Sequence, residues 1–227
     1  MGRGFSQIMQ ETPCYFHLFL KYAQYKLFNK RSPFYGSADI INVCNLHCTH
    51  CYWWLNRKEN EELTVEQWKE IINTKFKKKH VFIITLVGGE PTLRPDVIEL
   101  FVKEFPKRVS IVSNGTYPLK KYNDLYFYWI SVDGTQEAHD SIRGKGAYAL
   151  TRKNILDYVE KNGYNAWKDI WISMTINSLN YKTVPDVIEE WRDYVNKIGF
   201  QFHTPFTKGD PLWLPFGPER TKVVDDI

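Results

Sequence analysis

An α/β fold, a partial (β/α)6 TIM-like barrel with an N-terminal helical extension, is predicted by three observations. Six apolar runs of strand length recur along the chain, rich in β-branched and aromatic residues. Near-continuous apolar character is what parallel strands covered on both faces require. Helical patterns separate most of these runs, and such alternation implies a parallel sheet with right-handed crossovers. The chemically unusual residues follow the strands, which gathers them on one rim of the sheet.

Residues 1–36 read as the extension and residues 37–227 as the barrel domain. Within the extension, Tyr15–Phe28 has a wide apolar face and a narrow stripe of His17, Lys21 and Gln24. It is expected to be a helix packed on the barrel, with a membrane-surface position as the alternative. The strands are expected at Ala38–Val43, Val81–Val87, Val109–Ser113, Phe127–Val132, Ile170–Ile176 and Gly199–His203. Thr64-Val-Glu-Gln67 is a capping-box signature ahead of Trp68, Ile71 and Ile72. Pro95-Asp96 opens a helix over Val97–Phe105. Between the third and fourth strands only Pro118–Asp124 is available for a helix. Tyr148–Lys161 is helical and stops near Gly163. Thr183-Val-Pro185-Asp186 opens a helix over Val187–Lys197. Pro205–Pro218, rich in Pro, Gly and aromatics, reads either as a substrate wall or as a rigid connector. A last helix begins near Pro218 and still runs at the end of the chain, so the sequence is open to being part of a longer protein.

The 227 residues are 43% hydrophobic and 25% charged, with a net charge of +4. That describes one sizeable globular domain with no demand for nucleic acid. Met1–Glu11 is polar and lacks the apolar core of a signal peptide. No apolar run approaches a membrane span of about 20 residues. Four cysteines, three of them clustered, do not form a secreted disulfide framework. A cytoplasmic location is expected, with peripheral contact at the inner membrane face as the variant that the Tyr15–Phe28 helix raises.

Cys44-Asn-Leu-His-Cys48-Thr-His-Cys51 is the segment that carries most chemistry. Zinc sites usually combine two separated ligand pairs, and this set has no second half. A structural zinc site would have to borrow His47, His50 or Cys14. A cubane iron–sulfur cluster held by three thiolates instead keeps one iron open to a chelating molecule. Cys14, far upstream, reads as a small buried hydrophobe.

C-x3-C-x2-C just after the first strand, with Gly88-Gly-Glu-Pro91 after the second, resembles the radical S-adenosylmethionine (radical SAM) superfamily over Ala38–His203. Ser131-Val-Asp-Gly134, His139-Asp140 and Arg143-Gly144 are similar to the branch with sulfatase-maturating and peptide-modifying enzymes. The resemblance implies that Cys44, Cys48 and Cys51 hold one 4Fe-4S cluster and that SAM chelates its open iron. It places His50 near the adenine and Glu90 on the SAM ammonium. Gly88 and Gly89 let the backbone approach the methionyl group. Asn114 and Ser131 fall to the ribose or methionyl group, and Arg143 to the SAM carboxylate. Reductive cleavage of SAM would give a 5′-deoxyadenosyl radical that abstracts hydrogen from substrate. Members of that branch often carry auxiliary-cluster cysteines after the barrel, and none occurs after Cys51.

The substrate is expected to be bulky, with a peptide or protein side chain first and a lipid or small metabolite as the alternative. A non-catalytic zinc or redox-sensing module is the reading from another class. A reducing partner such as flavodoxin or ferredoxin is implied, with Lys120, Lys121 and Lys145 as docking candidates near the active rim. Lys75-Phe-Lys-Lys-Lys79 falls on the opposite rim and reads as a solvated helix end.

Overall fold

Six strands, β1 (Tyr35–Asp39), β2 (Ile83–Val87), β3 (Val109–Ser113), β4 (Phe127–Ser131), β5 (Ile170–Ile176) and β6 (Lys197–Phe202), pair in chain order. Every pairing is parallel. The computed structural model describes residues 16, 19–29, 33–56, 61–163 and 165–227. Consecutive parallel strands with right-handed crossovers keep the connecting helices on one face, so the sheet curls as an open barrel segment.

The helices in order are α1 (Tyr52–Asn56), α2 (Val65–Ile71), α3 (Pro95–Glu104), α4 (Gln136–Arg143), α5 (Ala147–Asn162), α6 (Val184–Trp191) and α7 (Pro218–Asp225). The capping box forms as expected. Gln67 N–H donates to Thr64 Oγ1 at 3.2 Å, and Thr64 N–H donates to Gln67 Oε1 at 2.8 Å. Helix α2 then runs into a π-helical stretch, Ile72–Lys77, whose Phe76 is buried. Helix α3 begins with proline at its first turn and buries Val97, Ile98 and Phe101.

Burial alternates along β5. Ile170, Ile172, Met174 and Ile176 are fully enclosed against the helices, while Trp171, Ser173 and Thr175 are half-buried on the concave face. The expectation of full cover on both faces is therefore corrected here. Each enclosed aliphatic contributes about 2 kcal/mol relative to exposure. On the concave face Phe127 and Trp171 stack at 3.7 Å. Gly199 on β6 admits the Trp129 ring, which a Cβ at that position would meet at 2.9 Å.

Several elements differ from expectation. Strand β1 ends at Asp39 instead of Val43 because the next residues serve a different partner. Gly89 N–H donates to Ile41 O and Glu90 N–H to Val43 O, so this apolar segment packs on the glycine turn after β2. Pro118–Asp124 is not helical; Lys107 N–H takes Asp124 O and Tyr126 N–H takes Val109 O, which holds the connection against the sheet. Helix α6 stops at Trp191, since Asn196 N–H already donates to Ile170 O and draws Lys197 into β6. Helix α4 was not anticipated, because its buried face includes His139 and Arg143 and so lacks apolar periodicity.

Part of the Tyr15–Phe28 expectation lies outside the described residues. Residues 19–28 are helical, but they are mostly exposed, not packed on the barrel. Lys21 ties them to the edge of the sheet from which the strands start, donating to Pro33 O at 3.0 Å and to His80 O.

Candidate functional site

The loops after the strands meet at the C-terminal rim. Cys48 is buried, and Cys44 and Cys51 are half-buried, in the loop that leaves β1. Backbone bonds fix that loop from two sides. Thr49 N–H donates to Ile142 O of α4 at 2.9 Å, and Cys51 N–H turns back to Cys48 O. An amide network joins it to the loop after β3. Asn114 Nδ2 donates to Asn45 Oδ1 at 2.9 Å, Asn45 Nδ2 donates to Thr116 Oγ1, and Thr116 donates twice to Asn114 Oδ1. Asn114 Nδ2 also stands 4.0 Å from Cys44 Sγ. Burial pushes the Cys44 thiol up and the Cys48 thiol to about 11. Bare thiolates are costly here, so anything that binds them must supply positive charge and displace the protons.

Glu90 is 1% exposed. Its Oε1 accepts from Thr92 N–H, Thr92 Oγ1 and Ser113 Oγ, and its Oε2 from Asn114 N–H at 2.8 Å. All four donors are neutral. The carboxylate pairs with no Lys, Arg or His among the described residues. A buried carboxylate without a cation calls for a cationic ligand. The two preceding glycines are required where they stand. A Cβ at Gly89 would lie 2.2 Å from Val43 O and 2.9 Å from Cys44 N, and one at Gly88 2.4 Å from Ile41 O.

Asp133, after β4, is completely buried and organises the other side of the rim. Its Oδ2 accepts from Arg143 Nε at 2.7 Å and its Oδ1 from Thr175 N–H at 2.8 Å. Burial alone would raise the Asp133 pKa, but Arg143 and the other donors bring it below the ordinary carboxylate value. Arg143 Nη1 also lies 3.9 Å from Cys48 Sγ. His50 Nε2 stands 3.6 Å from the same Asp133 oxygen, and His139 Nδ1 accepts from Asp133 N–H at 3.1 Å. Burial holds both imidazoles neutral, pushing each pKa down to about 4. His50 Nδ1 and His139 Nε2 are buried without a partner.

The expected residues are thus brought together, and two of them also meet Asp133. His50 faces Asp133, and Arg143 is enclosed between Asp133 and Cys48. Ser131 ends β4, half-buried opposite Ser173. Residue-type reasoning missed Asn45, Thr92, Ser113 and Thr116, which position the loop and Glu90. The available signal was their placement, inside the cysteine motif or within two residues of Glu90 or Asn114. Also missed was Asp210, whose Oδ2 is 3.0 Å from His203 Nε2. That contact folds the 205–218 stretch back onto the rim, where Phe206 lies 6.3 Å from the Tyr52 ring. Lys121 pairs with Asp169, just ahead of β5, so it belongs to the opposite rim from the one expected.

The donor set fits a cluster. Tetrahedral zinc needs its ligands about 4 Å from one another. Among the described residues no three Cys, His, Asp or Glu side chains converge on one ion position. Thiolates on separate irons of a cubane stand further apart, and three thiols in one short loop fit that group. His47, which a zinc site would have to borrow, stacks on Trp54 at 4.3 Å. Cys14 lies outside the described residues.

Comparison with known proteins agrees. The family model for the Radical SAM superfamily matches residues 39–190. The sporulation killing factor maturation protein SkfB of Bacillus subtilis is 32% identical over 167 residues, covering 70% of this chain and 39% of the relative. The mycofactocin maturase MftC of Mycobacterium tuberculosis is 33% identical over 202 residues, covering 85% of this chain and 50% of the relative. Among solved structures, SuiB of Streptococcus suis bound to S-adenosylmethionine superposes with a TM-score of 0.67 over 90% of this chain and 49% of that one, at 15% identity. That identity speaks for the fold alone.

The chain belongs to the radical SAM superfamily, whose cofactors are a 4Fe-4S cluster and S-adenosylmethionine. It spans half or less of the length of the curated relatives just described. Among the described residues no helix is long and apolar enough to cross a membrane.

Proposed function

We propose that the chain carries the catalytic barrel of a peptide-modifying radical SAM enzyme, and that Cys44, Cys48 and Cys51 hold its cluster. The observation that carries this reading is Glu90. Its buried carboxylate is held by neutral donors and linked through Asn114 to Cys44, so its negative charge is open to a cation beside the cysteine loop. The ammonium of SAM fits that place.

When bound, the cluster and SAM supply a 5′-deoxyadenosyl radical able to take hydrogen from an unactivated C–H bond. The chain's residues orient and protect. Glu90 fixes the ammonium, with its own oxygens held in place by Thr92, Ser113 and the Asn114 backbone. Gly88 and Gly89 keep the backbone flush against the β1 loop, which sets the distance from Glu90 to the cysteines. Ser131 and Asn114 face the ribose and methionyl side. Arg143 offsets thiolate charge at Cys48 and is itself held by Asp133. His50, near the adenine as the resemblance implies, also holds the cysteine loop against Asp133. Phe206 and Tyr52 cover the rim and limit water.

A peptide substrate is supported by relatives named as maturation or peptide biosynthesis proteins, and by a second SuiB structure, described as bound to precursor peptide SuiA. A second reading, a small-molecule substrate, is favoured by one relative of a different kind, the Fe-coproporphyrin III synthase of Methanosarcina barkeri, 33% identical over 167 residues. Electron supply by a flavodoxin or ferredoxin and a cytoplasmic location complete the proposal.

Two measurements test it. Glu90→Gln is expected to keep the iron and to weaken SAM binding roughly ten- to a hundredfold, the cost of one charge-assisted contact. Unchanged affinity by calorimetry would remove Glu90 from the SAM site. Anaerobic incubation of the reconstituted protein with SAM, reductant and a fractionated cell extract should yield 5′-deoxyadenosine with the peptide fraction. Turnover with the small-molecule fraction alone would transfer the assignment to the second reading.

A further inference from the structure

The N-terminal rim, opposite the cysteine loop, carries a surface that the radical chemistry does not use. In the N-terminal helix Phe19, Tyr22, Leu27 and Phe28 are 63%, 58%, 73% and 75% exposed. These large apolar side chains stay in water among the described residues. Phe34 and Tyr35, at the start of β1, add two more exposed rings. The helix is fastened to the rim by Lys21, whose ammonium takes the carbonyls of Pro33 and His80.

His80 closes the run Lys75-Phe-Lys-Lys-Lys79, and all four of those lysines are exposed. The adjoining turn before β3 contributes Lys107 and Arg108, and Arg108 O accepts from Ile84 N–H on β2. The acids at this rim include Glu104, which pairs with Lys77, Asp124, whose carbonyl holds the Lys107 backbone, and Asp169, which pairs with Lys121. Cations clearly outnumber them. The helix with its exposed rings and leucine is tied through Lys21 to His80 at the end of the lysine run, so this rim presents two demands, an apolar boundary and negative charge.

We infer that this rim docks the protein on an anionic lipid surface. An acidic bilayer meets both demands at once. The helix side chains enter the boundary between headgroups and acyl chains, and the lysines lie over the headgroups with their stems along the apolar edge. A second copy of the chain would bring the same cations against themselves, so self-association through this face is opposed. The direction of docking follows from the fold. With the N-terminal rim on the membrane, the cysteine loop at the other end of the strands faces away from the bilayer, open to a soluble substrate and electron donor.

The test is co-sedimentation of the full chain, cluster-loaded, with vesicles of phosphatidylcholine alone and of phosphatidylcholine mixed with phosphatidylglycerol. Binding is expected to the mixed vesicles only and to fall as salt rises. Lys78→Glu with Lys79→Glu should weaken it tenfold or more, each charge near the surface contributing several-fold. Leu27→Ser with Phe28→Ser should weaken it comparably, with iron content and circular dichroism unchanged in both double variants. Absence of binding to the mixed vesicles at low salt overturns the inference. So does binding that needs the lysines but not Leu27 and Phe28, which would mark a polyanion or acidic-protein site. A dimer in analytical ultracentrifugation that Leu27→Ser and Phe28→Ser dissolve would assign the face to a second copy instead.

Discussion

At the C-terminal rim of the sheet the charged side chains are buried and individually matched, whereas at the N-terminal rim they stand in water in a loose group. Asp133 has Arg143, a backbone N–H and two neutral imidazoles around it, and Glu90 has four neutral donors. Lys75, Lys78 and Lys79 point outward with no comparable cage. Buried charge is geometrically specific, because each unmatched group costs kilocalories and fixes its neighbours. Exposed charge is screened and interchangeable, so it suits a surface that reads potential and not shape.

The largest break expected is at the ligand loop. Cys48→Ala should abolish iron binding on anaerobic reconstitution, while Cys14→Ala should leave it. Full iron content and the iron–sulfur absorption band in Cys48→Ala would remove that residue from the cluster. Next in size is the glycine turn. Gly89→Ala forces a Cβ onto the Val43 carbonyl and should cost about 3 kcal/mol in chemical denaturation. Gly144→Ala, on the same rim with no atom within 4 Å but φ +111°, should cost only about 1–2 kcal/mol of backbone strain. Equal costs would show that the close approach at Gly89 is slack.

Acid should then distinguish the rims. The unfolded chain protonates His50 and His139 near the ordinary 6.5, but the folded chain resists until about 4. Stability is therefore complete above 6.5 and declines as pH falls from 6.5 towards 4, by up to about 3 kcal/mol for each ring. The lowered pKa of Asp133 acts in the same direction, since its contribution is present above the ordinary carboxylate value and lost below it. Urea midpoints across that range measure the decline, and a flat profile would mean that the folded rings accept protons. The smallest effect belongs to the N-terminal rim. Lys78→Glu with Lys79→Glu should move stability by less than about 0.5 kcal/mol, and a larger loss would show that the lysines are structurally engaged.

The chain's own pattern determined a good deal. Strands β3 and β5 lie where the apolar runs place them, because a β-branched run bounded by polar turns has few other uses. The capping box at Thr64 forms from local chemistry alone. The cysteine spacing and Gly88-Gly-Glu90 marked the candidate site, since thiols close in sequence and glycines without Cβ are written in residue type. Tertiary structure decided the rest. Ile40–Val43 reads as strand but serves the glycine turn, a choice that exists only when β1 and β2 lie side by side. His50 and Arg143 have the residue types for a ligand contact, but their contacts with Asp133 could not be read from the sequence, because only the fold places β4 beside the cysteine loop. Helix α4 escaped detection because half of its buried face, His139 and Arg143, is polar and is stabilised by partners on other elements. The N-terminal helix gave the reverse lesson. Its apolar face predicted packing on the barrel, but hydrophobicity states only that a side chain favours leaving water, and not which surface will take it.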